Sequence, residues 1–356
     1  MPRRILVINP GSTSTKIAVY DDEEPVFIQT ARHTADELAK FPRLTDQYEF
    51  RLACVLGLLE ERQVPLSSLA AVVGRGGILG PLTSGTYHIR QSMVDELRRP
   101  QTLEHASNLG APLALEIASR AGVPAFTVDP VAVDEFESVA RISGLPQIPR
   151  RSLSHALNVK AIARRAARDL GARYDDLNLI VVHLGGGISV TAHRRGRMVD
   201  VNNAADAGPF APERAGTLPL HGFIDFVFSG PHDAEELKRL VMGRSGLVAH
   251  LGTNSTMEVE KRIAAGDEHA RLVYEAMAYN VAKEIGAMAT VLKGEVQYIV
   301  LTGGSAHSRL LVEWISERVR FLAPVLVYPG EDEMLALAQG ALRVLAGEEE
   351  AKEYRG

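Results

Sequence analysis

Three short stretches of this chain combine residue types suited to holding phosphate. In INPGSTSTK (8–16) an apolar run ends in Asn9, Pro10 and Gly11, then come the hydroxyl residues Ser12 to Thr15, and then one cation, Lys16. Successive turn amides form an anion-binding concavity. The P-loop spacing is not met, because Lys16 follows Thr15 and precedes Ile17, and KIAVYD alternates like a strand. The stretch therefore predicts a strand–turn–strand hairpin. LIVVHLGGGISVTAH (179–193) repeats the device, with His183 just ahead of a turn made by Gly185, Gly186 and Gly187. YIVLTGGSAHSRLLVEWI (298–315) differs: a strand, then Gly303, Gly304 and Ser305, then a periodic apolar helix. Arg75, in VVGRGGILG, stands at a strand end between glycines that would let a ligand come close, and a forked guanidinium suits carboxylate or phosphate.

The elements that must position these residues alternate between strand and helix. Helical periodicity is expected near 46–62, 108–121, 155–170, 233–242, 269–292 and 332–347. Further strands run into loops at LAAVVGRGG (69–77) and VPAFTVD (123–129). Met277, Val281, Ile285, Met288 and Leu292 form one stripe, best read as packing. One strand–glycine–strand device in each half predicts a duplicated α/β domain with a nucleotide-binding cleft between the copies. Prolines and basic residues in GLPQIPRRS (144–152) suggest a boundary there, and the charged tail GEEEAKEYRG reads as a solvated end.

Composition narrows the classes. The chain has 356 residues, more than one core usually serves, with 46% hydrophobic residues, 23% charged residues and a formal charge of −5. That balance gives no reason to expect nucleic acid as a partner. Cys54 is the only cysteine, so no internal disulfide is possible, and the expected compartment is the reducing cytoplasm. No segment approaches the roughly 20 apolar residues of a membrane helix, and the N-terminal apolar run is too short for a secretion signal.

Seven strings, in order along the chain, carry a resemblance: ILVINPGSTSTKIAV (5–19), HASNLGAPLALEIA (105–118), TVDPV (127–131), RRSLSHALNVKAIAR (150–164), VVHLGGGISV (181–190), GPFAPERAGTLP (208–219) and PGEDEMLALAQGALRVL (329–345). The chain resembles the acetokinase family of the sugar kinase, chaperone and actin superfamily, and within it looks closest to the butyrate kinases. The resemblance implies duplicated actin-like (ribonuclease-H-like) domains, 1–149 plus 334–356 and 150–333, with the last helix folded back. It also implies reversible transfer of the ATP γ-phosphoryl group to a short-chain carboxylate, giving an acyl phosphate and ADP, with Mg²⁺. Isobutyrate, propionate and acetate are alternative acceptors, and an ATPase switch or filament protein is the alternative of another class. The family's habit implies a homodimer or a larger homo-oligomer.

A carboxylic acid with a pKa of about 4–5 is already ionised at neutral pH, so such a reaction needs cations rather than a general base. By resemblance, Arg75 clamps the acid and the transferred group, and His155 donates to a phosphoryl oxygen with His183 in support. Asn9, Ser12, Ser14 and Lys16 form the first phosphate hairpin. Gly185, Gly186 and Gly187 contact ATP phosphates, and Gly303, Gly304 and Ser305 contact adenosine. Asp129 and Glu333 hold Mg²⁺ together with Asn9, with Asp129 counted among the catalytic residues. The pattern departs from acetate kinases in three places: Gly216-Thr217-Leu218 lacks their second arginine, Ser107 replaces a histidine, and LGTNSTMEVE (251–260) lacks an expected acid–base pair. Bulky residues of acetate kinases correspond to Gly77 and Ser154, which predicts room for a longer acyl chain; the competing reading makes Gly77 a turn residue and Ser154 a helix cap.

Overall fold

The computed structural model describes residues 2–99 and 105–355. The chain divides into two compact units, Met1–Val133 with Asp332–Gly356, and Asp134–Glu331. Each is built on one sheet.

Unit 1 opens with β1 (Arg4–Gly11), β2 (Ser14–Asp21) and β3 (Glu24–Arg32), followed by α1 (Ala35–Leu38), α2 (Tyr48–Glu61), β4 (Ala71–Gly74), β5 (Thr86–His88), α3 (Gln91–Leu97), α4 (Gly110–Ala121) and β6 (Ala125–Val128). Strands β1 to β3 form an antiparallel meander, β4 lies parallel to β1, and β6 lies parallel to β4. Ile5 to Ile8 and Val72 and Val73 are fully buried, as expected for central strands covered on both faces.

Unit 2 contains α5 (Ala156–Asp169), β7 (Asn178–Leu184), β8 (Ile188–Arg194), β9 (Arg197–Val201), α6 (Leu220–Phe228), α7 (Ala234–Gly243), α8 (Leu247–Leu251), α9 (Thr256–Ala264), α10 (Glu268–Val291), β10 (Tyr298–Gly303), α11 (Arg309–Val319) and β11 (Val325–Pro329). Its sheet order, β11-β10-β7-β8-β9, repeats the pattern of unit 1: an antiparallel meander with parallel strands added beside its first member. The two glycine-and-hydroxyl hairpins are thus the same element in two copies. The stripe of α10 is core, with Met277, Val281 and Ile285 fully buried.

The chain then returns to unit 1 with α12 (Glu333–Leu345), which packs on β1, β4 and β6, and with β12 (Lys352–Glu353). β12 pairs parallel to β5 and completes the order β12-β5-β6-β4-β1-β2-β3. The tail is therefore not a solvated end. Lys352 Nζ donates to Ser84 O at 2.5 Å and Thr83 Oγ1 at 2.9 Å, and Tyr354 OH donates to Glu96 at 2.7 Å. The first crossing between units falls after Val133, ahead of the prolines near 144–152. Residues 134–150 are fastened to unit 2 by Lys160–Glu135 at 2.5 Å, Arg150–Asp200 at 2.6 Å and Glu137 N to Val199 O at 3.2 Å. Among the described residues no helix is long and apolar enough to cross a membrane.

Candidate functional site

In unit 1 the carboxyl ends of parallel strands β1, β4 and β6 lead to Asn9, Arg75 and Asp129 respectively. Open α/β sheets place ligands at this edge of a sheet. The hairpin register sorts the first motif into two faces. Asn9 opposes Lys16 and Gly11 opposes Ser14, and opposed residues share a face, while Thr15 lies on the other. The Lys16 side chain makes no hydrogen bond or ion pair with the described residues.

Arg75 continues β4, and its N–H donates to Ile8 O at 2.9 Å. The flanking glycines do not leave a path for ligand. A Cβ at Gly74 would strike the Gly110 backbone, and one at Gly76 would come within 2.5 Å of Pro130 Cβ, so the start of α4 and the β6 loop fill that space. The Arg75 guanidinium pairs with Glu333, which also accepts from Asn9 Nδ2 at 3.0 Å. Arg75 Nε is buried and has no acceptor. A charged donor left without an acceptor is unusual enough to require an explanation.

Asp129 is completely buried with φ of 38°, a left-handed conformation rare outside glycine. Its Oδ1 accepts from Ser84 Oγ at 2.6 Å and Gly85 N at 2.8 Å, so it ties β6 to the turn before β5. It has no solvent exposure in this conformation. Glu333 and Asn9 lie together and offer oxygen donors, yet among the described residues no group of three His, Cys, Asp or Glu could hold a metal.

Gly77 also departs from expectation. A Cβ there would lie 2.5 Å from Asn108 Oδ1 and 2.7 Å from Leu97 Cδ2, so its smallness serves packing rather than an acyl chain. It does not have a positive φ, so no left-handed backbone demands glycine there. Ser154 is buried, with its hydroxyl 3.6 Å from Met198 Sδ; α5 starts at Ala156 with His155 at its cap position and no side-chain cap bond.

In unit 2 the equivalent strand ends carry His183, Gly303 and the Gly330–Glu331 turn. The His155 and His183 rings stack, with centroids 3.9 Å apart and planes 16° from parallel. His155 Nδ1 lies 2.9 Å from Ser189 Oγ, and His183 Nδ1 lies 2.9 Å from Asn158 Oδ1. An Nδ1–H donating to Asn158 turns Nε2 of His183 to Glu331, 3.2 Å away. The glycine turn is lined by these groups: a Cβ on Gly185 would meet His183 Nε2 at 2.8 Å, one on Gly186 would meet Glu213 Oε2 at 3.2 Å, and one on Gly187 would meet Arg214 Nη1 at 2.5 Å. Burial pushes the Arg214 guanidinium below its usual pKa, with Glu213 pulling it back. Gly303 has φ of 93°, and a Cβ there would collide with the Leu184 carbonyl. Gly304 and Ser305 begin a short 3-10 turn before α11.

Sequence reasoning missed several of these residues. Asn108, Asn158, Ser189, Glu213 and Glu331 make contacts that spacing does not announce. Buried Arg51 of α2, which donates to Ser12 O and Ser14 O of the first hairpin, left a trace as the one charged residue on the stripe of Leu52, Val55 and Leu59.

Residues 148–323 match the acetokinase family. Among solved structures, the chain superposes on Porphyromonas gingivalis acetate kinase at a TM-score of 0.76 and 18% identity, covering 96% of this chain and 100% of that one. Entamoeba histolytica acetate kinase gives 0.74 at 17% identity, covering 96% and 100%. A propionate kinase from Francisella tularensis gives 0.72 at 18% identity, covering 95% and 98%. At this identity the likeness is one of fold, the duplicated actin-like α/β type.

Proposed function

We propose that this chain, whose residues 148–323 carry an acetokinase-family domain, is a carboxylate kinase that phosphorylates butyrate with ATP. A carboxylate oxygen attacks the γ-phosphorus, the bond to the β–γ bridging oxygen breaks, and ADP leaves with that electron pair. No proton needs removing from the acid at neutral pH. The observation that carries the reading is Arg75: a guanidinium at the strand-end edge whose buried Nε lacks an acceptor. A substrate carboxylate or a phosphoryl oxygen supplies one, and its negative charge competes with Glu333 for the same cation.

Lys16 offers a second cation, its side chain without an ion pair among the described residues, on the Asn9 face of the hairpin. His155, steadied by Ser189 and by stacking on His183, donates to a phosphoryl oxygen. The peptide groups of Gly185 to Gly187 approach the nucleotide phosphates, and the open Gly304–Ser305 turn takes the adenosine. Mg²⁺ brought with the nucleotide would offset the charge on the transferring group. Glu333 and Asn9 are the oxygen donors that suit it, since a hard ion keeps its waters and needs few protein ligands. Butyrate as acceptor rests on the resemblance and on the small Ser154 beside His155.

The test is acyl hydroxamate formation from ATP, Mg²⁺ and each of butyrate, isobutyrate, propionate and acetate. Product should form with all and fastest with butyrate. No ATP-dependent hydroxamate from any of the four would remove the proposal, and a maximum at another acid would move the specificity.

A further inference from the structure

Arg51 is the largest fully buried side chain among the described residues. Its Nε and Nη2 both donate to Gln47 Oε1, at 3.0 and 2.9 Å. Nη1 donates to Ser14 O at 2.7 Å and Thr15 Oγ1 at 3.1 Å, and Nη2 donates to Ser12 O at 3.2 Å. Every acceptor is neutral. Among the described residues no carboxylate pairs with this guanidinium. Burying a charge without a counter-charge is costly, and proteins rarely keep one for stability alone.

The charge lies directly behind the hydroxyl turn. Ser12 and Ser14 turn their carbonyls onto the guanidinium, and between them the Thr13 carbonyl accepts from His33 N at 2.9 Å. Thr15 Oγ1 also lies 2.8 Å from His33 Nε2, which locks the rear of the turn. In a trans peptide the N–H points opposite to the carbonyl of the same unit. The Ser12 and Ser14 carbonyls, held at the back, thus present the opposite, positive ends of their peptide units away from Arg51. Burial also pushes His33 below its usual pKa, with Arg51 adding to the effect, so the ring brings no second charge there.

We propose that Arg51 is a positioning residue for the first phosphate hairpin, and that the missing counter-charge is the phosphate chain of the bound nucleotide. The guanidinium does not touch the ligand. It fixes the turn through two carbonyls and one hydroxyl, and it adds a permanent positive charge that water cannot screen from behind. This inference rests on reading residues 12–15 as a phosphate-holding turn.

The probe is inorganic triphosphate, titrated calorimetrically into the full chain at low and high salt for wild type, Arg51→Lys and Arg51→Met. The wild type should bind, with affinity falling as salt rises. Folded Arg51→Met should bind at least tenfold more weakly, with a flatter salt dependence, whereas Arg51→Lys should stay within about threefold. A merely structural arginine would lower the Tm of both variants without changing triphosphate affinity, and that result overturns the proposal. If Arg51→Met does not fold, Arg51→Lys decides: a folded Lys variant tenfold weaker shows that charge is not the carrier. Wild type that ignores triphosphate overturns the phosphate reading of the turn itself, and this inference with it. Such a result would leave carboxylate kinase activity to be judged by the hydroxamate assay.

Discussion

Arg75 is held by Glu333, a residue from the opposite end of the sequence, so this ion pair of unit 1 forms only when the C-terminal helix is in place. The pair makes Arg75 a cation already desolvated and oriented, with a spare donor.

Arg75→Ala should lower kcat/KM for the acid by about 10² to 10³, the loss usual for one group that stabilises developing charge. The melting temperature should change little, since only the ion pair with a partly exposed carboxylate is lost. Retention of more than half the wild-type kcat/KM removes Arg75 from the reaction.

His155 is expected to donate, so His155→Gln should keep clearly more activity than His155→Ala. The stacked His183 ring stays in both variants, and circular dichroism should confirm the same fold. Equal losses would show that hydrogen-bond donation is not what the ring provides.

Ser154→Phe should reduce kcat/KM for butyrate more than for acetate. Each buried methylene of substrate contributes about 0.8 kcal/mol, so two can favour butyrate roughly tenfold. Ser154 is buried against Met198, so the substitution will also lower stability, and the ratio between the two acids is therefore the quantity to read. An unchanged ratio places chain-length selection elsewhere.

Glu284, in α10, provides a pH test. Burial lifts its carboxyl above the usual range; Arg150 opposes the lift and Asp200 adds to it. The unfolded chain ionises this group near pH 4.3, whereas the folded chain resists ionisation until higher pH. Its contribution to stability therefore falls as pH rises between those values and stays low above them. Glu284→Gln should raise Tm at pH 7.5, with the gain vanishing near pH 4. A gain of equal size at both values would rule out ionisation as the cause.

The C-terminal clasp makes the fifth test. Deleting residues from Ala351 onward removes the Lys352 and Tyr354 hydrogen bonds to Ser84 and Glu96. At about 1 kcal/mol for each of two or three bonds, Tm should fall by about 4–12 °C. An unchanged Tm would return the tail to the status of a solvated end.

The sequence made some of this architecture plain and hid the rest, for physical reasons. The two hairpins were visible because strand alternation and turn composition are local signals. The α10 stripe was visible because its burial runs along one face. α6 was not expected, and although it is largely apolar none of its residues is buried. β12 has two residues, and no periodicity exists at that length. The site shows the same division. Arg75, Asn9 and His183 were picked out by their places beside turns. That Glu333 engages Arg75, that Asp129 is sealed off, and that Gly77 is hemmed in by Asn108 are facts of long-range packing.

Unit 2 is a single stretch, Asp134–Glu331, set inside the two stretches of unit 1. During synthesis its whole sequence is available before the ribosome has made α12. The first unit must wait: β1, β4 and β6 lack the helix that covers them, and Gly340 of that helix fits against Val128 where a Cβ would collide. A nascent chain halted before residue 332 would thus carry one unit complete in sequence and another exposing uncovered sheet. Protease resistance should appear first in the middle of the polypeptide and last at its beginning.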